Sequence, residues 1–157
     1  MTVNFETGEV VDEIEDVENV GGMELVPLNL AALDESALLA MFPTPVQAAG
    51  ALIWARQANN RAPKALSEYR RALRKAQRDK KIALGLAVKD MRVEYPRATL
   101  TELREIAYGA DDRVIRALDA EDDAWLEFEY AKDYAAAIKE DIEILRSINA
   151  NFRGEHR

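Results

Sequence analysis

The sequence predicts an all-α protein built on a long antiparallel, coiled-coil-like helical hairpin, and three observations lead there. Two stretches of more than thirty residues carry no internal proline, each has an apolar seam spaced by three and four residues, and the two are oppositely charged. Spacing of that kind marks helices that pack along their length. With 157 residues, 48% hydrophobic and 32% charged, the chain suits one folded domain better than a disordered polymer.

Residues 1–30 read as an acidic, mostly disordered tail, with the helical domain following over 31–157. No sustained stripe runs through the tail, and Gly21-Gly22 and Pro27 interrupt it. Only a small hairpin about Thr7-Gly8 is expected in it. Asp34 is placed to cap a short helix over 35–41, and Thr44-Pro45 is a cap followed by a proline at the first helical position, opening a second helix over 45–60. That helix is expected to fail near Asn59-Asn60, with Pro63 starting a new one. The long helix 63–95 carries the seam Leu66, Tyr69, Leu73, Ala76, Lys80, Leu84, Val88, Met91, Tyr95, a heptad pattern with one stutter after Lys80. Its length is about 50 Å.

An elbow helix over 99–108 has Thr99 and Glu102 as a capping box. The last helix, 112–152 and about 60 Å long, has the cleaner seam: Phe128, Ala131, Ala135, Ile138, Ile142, Leu145, Asn149, Phe152, with Asn149 as its one polar break. Placing Tyr95 opposite Asp112 sets Tyr69 against Ile138, Leu66 near Ile142 and Lys80 near Glu127. Trp54 and Trp125 are expected to pack in the hairpin.

The formal charge of −8 argues against indiscriminate nucleic-acid binding, so any such contact must be local. Its distribution says more. Residues 1–40 hold ten acids and no base, residues 61–92 sum to +8, and residues 111–152 sum to −7. The absence of cysteine removes disulfides, thiolate metal sites and cysteine nucleophiles, and the single histidine, His156, leaves no triad. No Gly-rich phosphate loop occurs. No catalytic residue, metal ligand or cofactor is therefore expected. Apolar stretches too short for a membrane span and the lack of a signal-like start suggest a cytoplasmic protein with no membrane partner.

Two charged groups are candidates for binding. Arg70, Arg71, Arg74, Lys75, Arg78 and Lys81 form a stripe on the first long helix that either pairs with the acidic last helix or tracks phosphates. No aromatic residue interleaves that stripe to stack bases. Asp122, Asp123, Glu127 and Glu129 form an acidic surface suited to a protein partner.

Three resemblances add to this. Glu102-Leu103-Arg104-Glu105 followed by Asp119-Ala120-Glu121-Asp122 resembles the paired acidic motifs of MazG-type nucleotide pyrophosphohydrolases, which hold magnesium for phosphoanhydride hydrolysis; Asp119 stands where that family uses glutamate. The opening Phe5-Glu6-Thr7-Gly8-Glu9-Val10-Val11 resembles the Thr-Gly-Glu-aliphatic openings of small phage replication and recombination proteins. The ending from Glu140 to Phe152, with Ile144-Leu145-Arg146-Ser147-Ile148-Asn149, resembles the helical ends of phage hairpin proteins from such gene clusters. The last two imply a setting in phage or prophage DNA metabolism and carry over no site residue.

The leading expectation is a non-enzymatic accessory protein of DNA metabolism that binds nucleic acid or a nucleoprotein partner through its hairpin. The alternative is an acidic DNA mimic that inhibits a host nuclease or similar protein, a role resembling that of the phage Gam-type inhibitors. A MazG-like enzyme comes third. The same seams would also serve a dimer in which they pair between chains.

Overall fold

A computed structural model describes residues 2–3, 10–11 and 25–155. The fold is all-α. Two long helices, α2 (Pro45–Glu94) and α4 (Asp112–Gly154), lie antiparallel, joined through α3 (Leu100–Ala110) and preceded by a single 3-10 turn (Leu30–Ala32) and α1 (Glu35–Met41). At the amino terminus Thr2–Val3 pairs antiparallel with Val10–Val11. The Thr7-Gly8 turn and the acidic run 12–24 lie outside the described residues.

The caps follow the sequence. Asp34 accepts the Ala37 N–H at 2.7 Å, Thr44 that of Gln47 at 3.3 Å, and Thr99 and Glu102 satisfy each other's backbone at 3.2 and 2.8 Å. Orphan amide donors at helix starts are closed in this way.

The expected break at Asn59-Asn60 does not occur: residues 45–60 and 63–95 form one helix, α2, of 50 residues with Pro63 inside it. An interior proline forfeits one backbone hydrogen bond and crowds the carbonyl four residues back, at about 3 kcal/mol. Packing offsets that cost. Ala55, Ala58, Ala62 and Ala65 are all buried around it, while Pro63 points its ring to solvent. Small side chains let helix axes approach toward the short end of the usual 8–10 Å, and Ile138, Ile142 and Leu145 of α4 fill the space across from them.

The register also departs from expectation. Lys80 pairs with Glu121 rather than Glu127, and Asn149 reaches the Ala48 carbonyl at 3.2 Å, so the helices are slid by roughly two turns. The cause is the elbow. α3 folds back until Ala107 packs with Ala87 and Val114, and Arg113 meets Asp90 at 2.8 Å, so α4 starts alongside α2 near Asp90 instead of opposite Tyr95 at its end. Ile142 then belongs to the alanine row near the start of α2, and Leu66 lies nearer Ala135.

The tail boundary at residue 30 is corrected as well. Leu25 and Leu30 are core residues, and the segment 25–33 straps across both helices at their open end. Asp141, 2% exposed, holds it there: its carboxylate accepts the Leu28 N–H at 2.7 Å and the Leu30 N–H at 2.8 Å. Between those donors Asn29 adopts φ 56°, a left-handed conformation that asparagine tolerates better than most residues. The chain then turns through 97° from α1 into α2.

Core residues collect at the two ends of the hairpin. The strapped end buries Leu25, Leu30, Phe42, the alanine row and the α4 aliphatics; the elbow end buries Ala87, Leu103, Ala107 and Val114. Between Ala65 and Ala87 on α2, and between Val114 and Ala131 on α4, no described side chain is buried. This waist is where the charge reverses.

Candidate nucleic-acid interface

Continuity of α2 through Pro63 turns six basic residues into a longer feature. Arg56, Lys64 and Lys89 join Arg70, Arg71, Arg74, Lys75, Arg78 and Lys81, all of them exposed. At 100° per residue these nine fall within one arc of about 140°, nearly opposite the alanine row, and run about 50 Å along the axis. Glu68, Asp79 and Asp90 fall outside that arc. Of the three added residues, Arg56 lies beyond the break expected near Asn59-Asn60, whereas Lys64 and Lys89 belong to the same helix in either reading.

The two charged blocks do not neutralise each other across the hairpin. Among the described residues, Lys75 is the one member of the basic face with an ion pair, to Asp79 of its own helix at 2.8 Å. The waist is bridged instead by Lys80–Glu121, whose side chains are half-buried on the seam. Arg70 lies over the Phe128 ring at 5.6 Å, with Lys132 over the same ring at 5.4 Å. Such placement orients a guanidinium without removing its charge.

The acidic candidates scatter. Asp122 and Glu129 stand seven apart and share one row of α4, whereas Asp123 and Glu127 lie on another; Asp122, Asp123 and Glu127 are exposed, and Glu129 pairs with Lys132 at 3.0 Å. Glu102 is held by the capping box. Among the described residues no three Asp, Glu, His or Cys side chains gather where a metal ion would sit, so Glu102, Glu105, Asp119 and Asp122 are not brought together. His156 lies outside the described residues.

On the Pro63 side of the hairpin a cleft of about 400 Å³ opens between the helices. Asn59, Pro63, Ser67 and Arg70 line it from α2, Ala135 and Lys139 from α4, and Ala62 and Leu66 form its floor. It carries two cations and no carboxylate. Pro63 has no N–H to give the Asn59 carbonyl, so that acceptor lacks its usual helical partner. Lys139, Lys132 and Trp125 repeat at seven residues and so share one row of α4 beside the cleft. Trp125 is 51% exposed and Trp54 43%, so neither packs in the core as expected. The seven-residue repeat was present in the sequence; what hid it was the register, which set α4 against the wrong part of α2.

At the elbow, Arg113 bridges Asp111 at 2.9 Å and Asp90 at 2.8 Å. The Arg113 side chain holds the Asp111 carboxyl below its ordinary 3.8, helped by the backbone N–H groups of Arg113 and Val114, and the two carboxylates raise the guanidinium in turn. This group closes the start of α4.

Among the described residues, no single helix is long and apolar enough to cross a membrane. No protein-family model, curated protein or solved structure matches this chain.

Proposed function

We propose that this chain is a non-enzymatic accessory protein that binds nucleic acid through the cationic outer face of α2. One observation carries the reading: nine exposed basic residues occupy one arc of a continuous helix, and among the described residues only Lys75 has a carboxylate partner. Cations arranged along a rod release condensed counterions when they meet phosphates. The resemblances at Phe5–Val11 and Glu140–Phe152 add phage or prophage DNA metabolism as the setting. Glu129 is already paired with Lys132, which reduces the acidic surface open to a partner and favours this reading over a DNA mimic.

Fluorescence anisotropy with labelled single- and double-stranded oligonucleotides, titrated over about 50–200 mM salt, tests it. Binding is expected at low salt, weakening steeply as salt rises. Protein that ignores both kinds of oligonucleotide at the lowest salt would overturn the reading. Capture of a nuclease that added DNA displaces, and that is lost on neutralising Asp122, Asp123, Glu127 and Glu129, would establish the mimic instead.

A further inference from the structure

Resting on that reading, the groove on the Pro63 side of the hairpin indicates which form of nucleic acid is bound. We propose that it takes a single strand, with one base in the cleft between Asn59 and Lys139 and another stacked on Trp125.

A duplex presents two phosphate rails and base edges in its grooves but hides its base faces, so it has no use for a stacking platform. An unpaired strand also offers bases, and these need aromatic platforms or apolar slots beside the cations. The basic face of α2 has no such platform of its own. α4 supplies it: Trp125 stands half-exposed three residues before Phe128, whose ring touches Arg70, the residue common to the basic face and the cleft. Cations therefore lie along both edges of the groove, Arg70 on one and Lys132 and Lys139 on the other, although Glu129 shares Lys132.

The cleft matches a base in size and in kind. Its volume, about 400 Å³, is within the range of small-ligand sites. Pro63, Leu66, Ala62 and Ala135 give it an apolar lining, and Asn59, Ser67 and Arg70 on α2 and Lys139 on α4 supply the polar groups. The Asn59 amide offers a donor beside an acceptor, the pattern asparagine uses on a base edge. The Ser67 hydroxyl adds a further acceptor suited to an exocyclic amino group. From Lys139 to Trp125 is fourteen residues of helix, about 21 Å, enough for several nucleotides of extended strand.

The test compares a fluorescein-labelled oligodeoxycytidylate, whose bases carry the exocyclic amino group, with a duplex of equal length in the same salt, on the full chain with Trp54→Phe so that Trp125 is the one indole. The single strand is expected to bind at least about tenfold more tightly and to quench Trp125. Trp125→Ala is expected to weaken single-strand binding by about tenfold, the order of one lost base stack, with duplex binding and salt slope unchanged. Ser67→Phe, on an exposed rim position, blocks the cleft without entering the core and is expected to act in the same direction. Free deoxycytidine monophosphate separates a nucleotide pocket from a strand-binding groove: weak binding of the monomer with strong binding of the strand is the expected pattern. Equal or tighter duplex binding, or single-strand affinity indifferent to both variants, would overturn the proposal while leaving the basic face in place. Failure to bind either oligonucleotide would remove the basic-face reading with it.

Discussion

The strapped end of the hairpin and its waist are made from the same two helices and differ in almost everything else. At the strapped end a third element closes over α2 and α4, and a continuous core follows from Leu25 to Leu145. At the waist no other described element covers them. Ile82 is 61% exposed, Tyr130 58% and Trp125 51%, although the seam there is apolar apart from Lys80–Glu121. Two helices side by side shield only a narrow strip from water; a core needs a further layer. The strap supplies it at one end and α3 at the other. Tyr134 shows where cover stops: it stands one heptad before Asp141 on the same row of α4, and is exposed where Asp141 is sealed. The comparison assigns stability to the ends and leaves the waist, with Arg70 to Lys81 and Trp125, for binding, the cleft lying where the waist meets the strapped end.

The largest expected effect breaks the strap. Asp141→Ala leaves the Leu28 and Leu30 N–H groups buried without an acceptor. Hydrogen bonds to a charged group contribute about 1.5–3 kcal/mol each, so a loss on the order of 3–5 kcal/mol is expected in urea unfolding. Asp141→Asn retains one acceptor oxygen and should fall between. Leu30→Ala tests the same closure through packing alone, with an expected loss of about 2–5 kcal/mol. If either change costs less than about 1 kcal/mol, the strap is not part of the core.

Amide hydrogen exchange sharpens the contrast without mutation. Amides in 70–86 and 115–130 are expected to exchange faster than those in 48–66 and 131–149, because few buried contacts oppose local opening there. Uniform protection along both helices would erase the distinction.

Much of this was legible in the sequence, and the failures share a cause. Helix starts at Asp34, Thr44, Thr99 and Asp111 were readable because a cap is a local event between a side chain and amides two or three residues away. The α4 seam was readable because Ile138, Ile142 and Leu145 are bulky enough to mark a face. The continuity of α2 over its first third is hidden because its buried residues are alanines, which carry little hydropathy signal, and because Asn59, Asn60 and Pro63 argue locally against helix. Tertiary packing overrode them. The strap escaped notice since its anchor is a single aspartate more than one hundred residues away, indistinguishable in sequence from the solvated acids around it. The cleft was invisible for the same reason: it needs the true register to bring Ala135 and Lys139 to Pro63.

Smaller effects are expected from the ion pairs. Lys80→Ala should cost about 1 kcal/mol or less, near the upper end for a partly exposed pair, and thermal melts at low and high salt will show whether Glu121 depends on it. Smallest of all is the elbow cap. Because Arg113 depresses the Asp111 carboxyl in the folded protein, its contribution is present above the ordinary 3.8 and fades as the pH falls through the lower folded value. Unfolding midpoints between about pH 5 and pH 2 should therefore show a slightly flatter acid limb in Asp111→Asn than in the wild type.

The division of labour between ends and waist is tested most directly by reversing Arg71, Arg74 and Arg78 to glutamate and measuring oligonucleotide affinity and thermal midpoint on the same preparation. Oligonucleotide binding is expected to be lost at all salt concentrations with the melting temperature nearly unchanged, since none of the three has an ion-pair partner among the described residues. Retained affinity, or a collapse in melting temperature alongside the loss of binding, would contradict the assignment of the waist to binding and of the ends to stability.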